Sequence, residues 1–163
     1  AVTTLTGDGT QGSNNGVGTA AQHNQPWGIT LDTAGENLYV CDYGGDTIRK
    51  IVISSKTVST IAGQYMTTGS TNGTGTAALF YEPSHLTTDG TNLYISDFGN
   101  HLIRKLVISS NVVTTLAGKI GFAGADDNTD PLQATFLNPI GITTDGIDIF
   151  VANWGNHYIR KID

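Results

Sequence analysis

The chain is 163 residues long, with 14 acidic and 8 basic residues, a formal net charge of −6 at pH 7 and 13% charged residues. Six of the 8 basic residues form three repeated Arg-Lys pairs, so no separate basic surface exists for phosphates and nucleic acid is not an expected partner. No apolar run reaches the length of a membrane-spanning helix, so membrane insertion is not expected, and a single Cys permits no intrachain disulfide.

In chain order, Ala1 to Thr6 reads as a lone strand and residues 7–18 as a loop rich in Gly, Thr and Asn. Four strand segments follow: Trp27 to Asp32, Asn37 to Asp42, Thr47 to Ile53 and Thr57 to Ala62. Each carries β-branched or aromatic residues and is bounded by Gly, Asn, Asp or Ser. Ala34-Gly35-Glu36 suits a hairpin turn, and Gly44-Gly45 is expected to supply positive φ in the next one. The same order recurs from Pro83, with Gly90-Thr91 and Gly99-Asn100 at the turns, and again from Pro139. No stretch sustains a helical apolar spacing, so helix is expected to be nearly absent.

One phrase ties these segments together. Arg49-Lys50-Ile51-Val52-Ile53-Ser54-Ser55 leads into Val58-Ser59-Thr60-Ile61-Ala62-Gly63. Arg104-Lys105-Leu106-Val107-Ile108-Ser109-Ser110 leads likewise into Val113-Thr114-Thr115-Leu116-Ala117-Gly118. Arg160-Lys161-Ile162 begins the phrase a third time, and Val2-Thr3-Thr4-Leu5-Thr6-Gly7 repeats its second half alone. Pro26, Pro83 and Pro139 lie 57 and 56 residues apart, and Arg49, Arg104 and Arg160 lie 55 and 56 apart. A fixed period of four short strands points to an all-β fold made of β-propeller blades. Blades packed face to face also account for the apolar runs Leu38-Tyr39-Val40-Cys41 and Ile149-Phe150-Val151-Ala152. The expected organisation is a single repeat region over 1–163: residues 1–7 an outer strand completing a third blade, 26–63 blade one, 83–118 blade two, and 139–163 an incomplete blade three.

Asn138-Pro139-Ile140-Gly141-Ile142, then Ile149 to Asn156, then Ile159-Arg160-Lys161-Ile162, resembles an NHL repeat, and the pattern also fits Gln25 to Ile51 and Glu82 to Leu106. The resemblance implies a six-bladed ring, of which three blades lie in this chain. Two copies are therefore expected to close one ring as a homodimer, each N-terminal strand completing the third blade of its partner. A head-to-tail contact that fails to close would instead make a fibre, and a longer repeat protein is the other alternative. For function, the resemblance implies a non-catalytic binding or assembly module for protein or carbohydrate partners. The alternatives are a metal-dependent lyase like the family's catalytic members and a structural subunit of an extracellular fibre. No catalytic residue is assigned. The low charge and the many Gly, Thr, Ser and Asn residues suit an exported protein, extracellular or periplasmic.

Several residues stand out against the repeat. Tyr43, Phe98 and Trp154 place one aromatic per blade just after the second strand, and a collar of them would suit a carbohydrate or peptide, or else blade packing. His101 and His157 follow Gly-Asn in matching turns, with Asp46 at that place in blade one; they count with the binding face, or as solvated turn residues. Asp42, Asp97 and Asn153 are expected to cap those turns. His85 stands where Gly28 and Gly141 stand in the other units, as a channel-lining side chain or, by the resemblance, a zinc ligand. Asp126, Asn128 and Asp130 have the spacing that opens a calcium loop, but Pro131 replaces the Gly and Leu137 the closing Glu, so no cofactor is expected, with calcium here and zinc at His85 as the alternatives. Val2, Thr3, Thr4 and Leu5 on one side, and Ile159, Arg160 and Ile162 on the other, are the expected assembly residues. Cys41 reads as a small hydrophobe, and Asn72-Gly73-Thr74 as a glycosylation sequon.

Overall fold

The computed structural model describes residues 1–163 and contains strands and single turns of 3-10 helix, with no α-helix. The first sheet holds β1 (Gly16–Val17), β2 (Pro26–Leu31), β3 (Asn37–Asp42), β4 (Thr47–Val52) and β5 (Thr57–Ala62) in the order β1-β5-β4-β3-β2. The second repeats it with β6 (Gly73–Thr74), β7 (Pro83–Thr88), β8 (Asn92–Asp97), β9 (Leu102–Val107) and β10 (Val112–Ala117). The third has three strands, β11 (Pro139–Thr144), β12 (Ile149–Asn153) and β13 (Tyr158–Ile162). All ladders are antiparallel, as short hairpin connections require. The four strands of blade one lie within a residue of their expected bounds, whereas Ala1 to Thr6, expected as a strand, forms none within the single chain.

The short strands β1 and β6 are additions to the four-strand plan. Each returns along the outer strand, pairing Gly16 with Val58 and Gly73 with Val113, so that the outer strand has a neighbour on both edges. Two residues cannot announce a strand from their own sequence, because their pairing rests on a partner about forty positions away.

The core is layered between blades. Tyr39, Cys41 and Ile48 of blade one meet Phe80, Leu86 and Leu93 of blade two. Ile103 and Ala117 of blade two meet Phe136, Ile142 and Val151 of blade three. Both faces of the middle sheet are thereby buried, which is why its strands lack clean alternation. The Cys41 thiol sits inside this layer, and burial pushes its pKa well up, as for a small hydrophobe. A smaller cluster, Ala21, Val40, Ile51 and Val58, lies on the opposite side of blade one and is covered by Leu5.

Leu5 occupies the place that Ile61 takes against Ala78, Ile95, Leu106 and Val113 one blade later. The Gly7 N–H donates to the Gly18 carbonyl as the Gly63 N–H does to Gly75. Val2–Gly7 therefore lies on blade one as β5 lies on blade two, yet it pairs with no strand.

Candidate functional site

Each blade passes from its second to its third strand through a one-turn helix: Tyr43–Gly45, Phe98–Asn100 and Trp154–Asn156. The left-handed residue that ends each turn is Asp46, His101 or His157, with φ of 55, 60 and 62°. The expected Gly44-Gly45 is not where the positive φ falls. Gly44 is needed instead for close approach, because a Cβ there would stand 2.6 Å from Oε1 of Gln25.

The turns bring the aromatics into one row. The Tyr43 and Phe98 ring centroids are 6.3 Å apart and those of Phe98 and Trp154 6.4 Å, all tilted. Trp27, at the start of β2, extends the row with its ring 4.7 Å from Tyr43. The tilted rings and these spacings are those of favourable aromatic pairs. Tyr43 and Phe98 are half-buried, while Trp27 and Trp154 at the two ends are 50% and 61% exposed. The row thus belongs partly to packing between blades and partly to the surface. Burial, together with the Glu82 carboxylate, lifts the Tyr43 hydroxyl to about 12, so it is a neutral donor at physiological pH. Trp27 was not among the residues expected here; its signal was an aromatic where the other inner strands have Ser84 and Ile140.

His101 and Asp46 are not free turn residues. The His101 Nδ1 accepts from the Asn138 N–H at 3.1 Å, and the Asp46 Oδ1 accepts from the Glu82 N–H at 2.8 Å. Each links its blade to the entry of the next; His101 is half-buried, while His157 is exposed. Gln25, Glu82 and Asn138 themselves adopt left-handed φ of 53, 53 and 49° before the three prolines. A conformation disfavoured before proline recurs in all three blades because the same entry turn is built three times.

The expected turn caps are also corrected. Asp42, Asp97 and Asn153 make no capping bond to their own turns. Their Oδ1 atoms accept from the N–H groups of Asn24, Tyr81 and Leu137 in the incoming loops. Oδ2 of Asp42 and Asp97 faces Arg49 and Arg104 at 3.2 and 2.8 Å, with all four side chains buried. Burial pushes both carboxyls up to about 6, against the opposing pull of the N–H groups and the arginines. Each arginine also donates to two loop carbonyls, Arg49 to Gln22 and Asn14 and Arg104 to Leu79 and Thr71, and Arg104 stacks over Phe80 at 5.2 Å. This scaffold holds the loops beneath the aromatic row.

His85 lies on the inner strand β7, half-buried, with Nδ1 buried and unpartnered. A Cβ on Gly28 would stand 2.6 Å from the His85 Cα, so the inner strands touch at that level. Asn128 and Asp130 accept from the N–H groups of Asp130 and Leu132, and Asp126 from the Thr135 hydroxyl. These are bonds of the loop to itself, and no group of three or more His, Cys, Asp or Glu side chains comes together in the chain. Asn72 of the sequon accepts from Arg104 at 2.9 Å, so its side chain helps hold the loop.

Three consecutive blades, with a long entry loop and a short turn on one face of each, are a segment of a β-propeller. The repeats are of NHL type. The chain is 28% identical over 144 residues to NHL repeat-containing protein 2 of Gallus gallus, covering 82% of this chain and 19% of that protein. It is 30% identical over 149 residues to Protein SUPPRESSOR OF QUENCHING 1, chloroplastic, of Arabidopsis thaliana, covering 85% of this chain and 14% of that one. Among solved structures, an auxiliary nutrient binding protein from Bacteroides ovatus superposes with a TM-score of 0.77 at 22% identity, over 90% of this chain and 39% of that chain. The chain thus spans less than a fifth of these curated relatives. No family model matches the sequence.

Proposed function

We propose that the chain is part of a non-catalytic propeller that binds a partner on its aromatic face, a carbohydrate chain in the first instance. The observation that carries this reading is the unbroken row Trp27-Tyr43-Phe98-Trp154, apolar in its rings and edged by the Tyr43 hydroxyl and Glu82. Sugar rings present an apolar face and a hydroxyl rim, the pattern that such a row complements. The nutrient-binding role named for the Bacteroides ovatus protein is in keeping with it, although that likeness concerns the fold. An exported setting belongs to the same proposal, and no helix of the structure is long and apolar enough to cross a membrane.

Self-association to complete a ring is also proposed. It is supported by two unlike faces. Ile29 on blade one is 55% exposed where its equivalents Leu86 and Ile142 are buried against the preceding blade. Ile159 on blade three is 77% exposed where Ile48 and Ile103 are buried against the following one.

The chain has two tryptophans, and both stand in the row. Titration with a panel of neutral oligosaccharides should shift their emission, and Phe98→Ala should weaken binding roughly tenfold. Equal binding by that variant, or a response only to peptides, would remove the carbohydrate assignment.

A further inference from the structure

The junction of blades one and two carries a carboxylate with no cation beside it. Tyr81 and Glu82 end the entry loop of blade two, and their backbone is fixed to both blades. The Tyr81 N–H donates to Oδ1 of Asp97 at 2.9 Å, its carbonyl accepts from the Gly99 N–H at 2.8 Å, and the Glu82 N–H donates to Oδ1 of Asp46 at 2.8 Å. Glu82 is left-handed, with φ of 53°, just before Pro83. Its side chain is half-buried beside the Tyr43 hydroxyl, which burial and then the Glu82 carboxylate keep neutral. None of the chain's ion pairs includes Glu82. Its equivalents Gln25 and Asn138 share the left-handed backbone and carry no charge, so within the three blades the carboxylate belongs to this junction alone.

Aromatic rings flank that carboxylate. Phe98 lies 6.3 Å from Tyr43, centroid to centroid, and Tyr81 lies against the same turn as Phe98, since a Cβ on Gly99 would stand 2.5 Å from its Cδ1. Ring faces attract positive charge, and a half-buried carboxylate gains most from a partner of opposite sign. A metal ion is poorly served, because the rings offer it no oxygen ligands and no third carboxylate or imidazole joins Glu82 and Asp46. An ammonium group is well served: it can donate to the carboxylate and lie over the rings at once. The row continues on both sides, to Trp27 beyond Tyr43 and to Trp154 beyond Phe98. A ligand that fills it must therefore carry its charge between apolar plates, as a chain of amino sugars does and a flexible lysine side chain does not.

We infer that Glu82, with Tyr43, Tyr81 and Phe98, is a subsite for a protonated amine on a carbohydrate chain, so that the aromatic face selects amino-sugar oligomers over neutral ones. This rests on the carbohydrate reading of the row and adds a charge to it. The sugar ring stacks on the aromatic plates while its ammonium donates to Glu82.

The test compares a glucosamine tetramer, its N-acetylated counterpart and a glucose tetramer by calorimetry at about pH 6.5, where a sugar amine holds its proton. The glucosamine tetramer should bind about tenfold tighter than either neutral one at low salt and lose that margin as salt is raised. Glu82→Gln should bring it to the affinity of the neutral tetramers. That variant keeps the fold because Gln25 already holds the equivalent left-handed place in blade one. Tyr81→Leu, the exchange that blade three shows at Leu137, should narrow the margin about threefold. Equal affinities for all three tetramers, or a margin that survives Glu82→Gln, would overturn the amine subsite while the carbohydrate reading stands. Binding of none of them would overturn that reading as well, and binding of a tetralysine peptide alone would overturn the sugar as occupant.

Discussion

Arg104 and Asp97 illustrate what the repeated Arg-Lys phrase does at the scale of a residue. The lysine is half-exposed and the arginine wholly buried, its two terminal nitrogens donating to one carboxylate, two carbonyls and Asn72 while Nε has no partner. A buried ion pair adds little over an apolar pair, but removing one partner strands the other charge. Asp97→Asn should therefore lower stability by about 3–5 kcal/mol, read from a urea midpoint at unchanged slope. An unaltered midpoint would mean that the loop bonds alone hold the guanidinium. Blade three carries that exchange already, as Asn153. It is tolerated there because Arg160 is partly exposed and has Asp127 as an alternative carboxylate.

Between elements, the junctions are small polar bridges laid over apolar layers. The bond from Asn138 N–H to His101 joins blades two and three, and only a ring with an unprotonated Nδ1 can accept it. Burial lowers the His101 pKa, so the folded chain binds fewer protons than the unfolded chain at mildly acidic pH. The associated stability is full above about pH 6.5 and is lost as pH falls below it. Asp42 and Asp97, lifted to about 6, act in the opposite direction as the pH falls through their range, because the fold then takes up their protons more readily. The difference between wild type and His101→Asn isolates the bridge. Melting temperatures of the two should converge from about pH 7.5 to about pH 5, and parallel curves would show that His101 carries no linkage. The apolar layer beneath contributes more to stability than these bridges do. Phe80→Ala removes a ring that belongs to a cluster of twelve buried residues and lies under Arg104, and it should cost about 3–5 kcal/mol in the same urea assay. A cost under about 1 kcal/mol would mean that the layer closes over the cavity.

For the whole molecule, the two outward faces differ in kind and complement each other. Blade one presents Ile29 and Leu31, and blade three presents Tyr158 and Ile159. The middle blade buries Leu86 and Ile103, the equivalents of Ile29 and Ile159, so the contact between a third blade and a first blade would be of the kind already made twice within the chain. Ile159→Asp alters a side chain that is 77% exposed in a single chain, so the three blades should keep their melting temperature at low protein concentration. It should nevertheless abolish any doubled mass, as measured by light scattering across a dilution series. A variant that still doubled would exclude this face from the contact.

The period, the four-strand unit and the apolar positions facing neighbouring blades were legible in the sequence. They follow from local propensity and from a pattern repeated often enough to be read three times. Tyr43, Phe98 and Trp154 were legible as one aromatic per blade for the same reason. The fifth strands, the burial of Arg49 and Arg104, the bridges from Asp46 and His101, and the entry of Trp27 into the aromatic row were not. Each depends on a partner in another loop or the next blade, and a single position in a repeat does not say which distant group it meets. Sequence by itself thus determined what each blade is made of. Tertiary structure alone decided which polar groups hold blade to blade, because hydrogen bonds and charges gain their value from burial and from one particular partner, whereas apolar periodicity needs only a side to face.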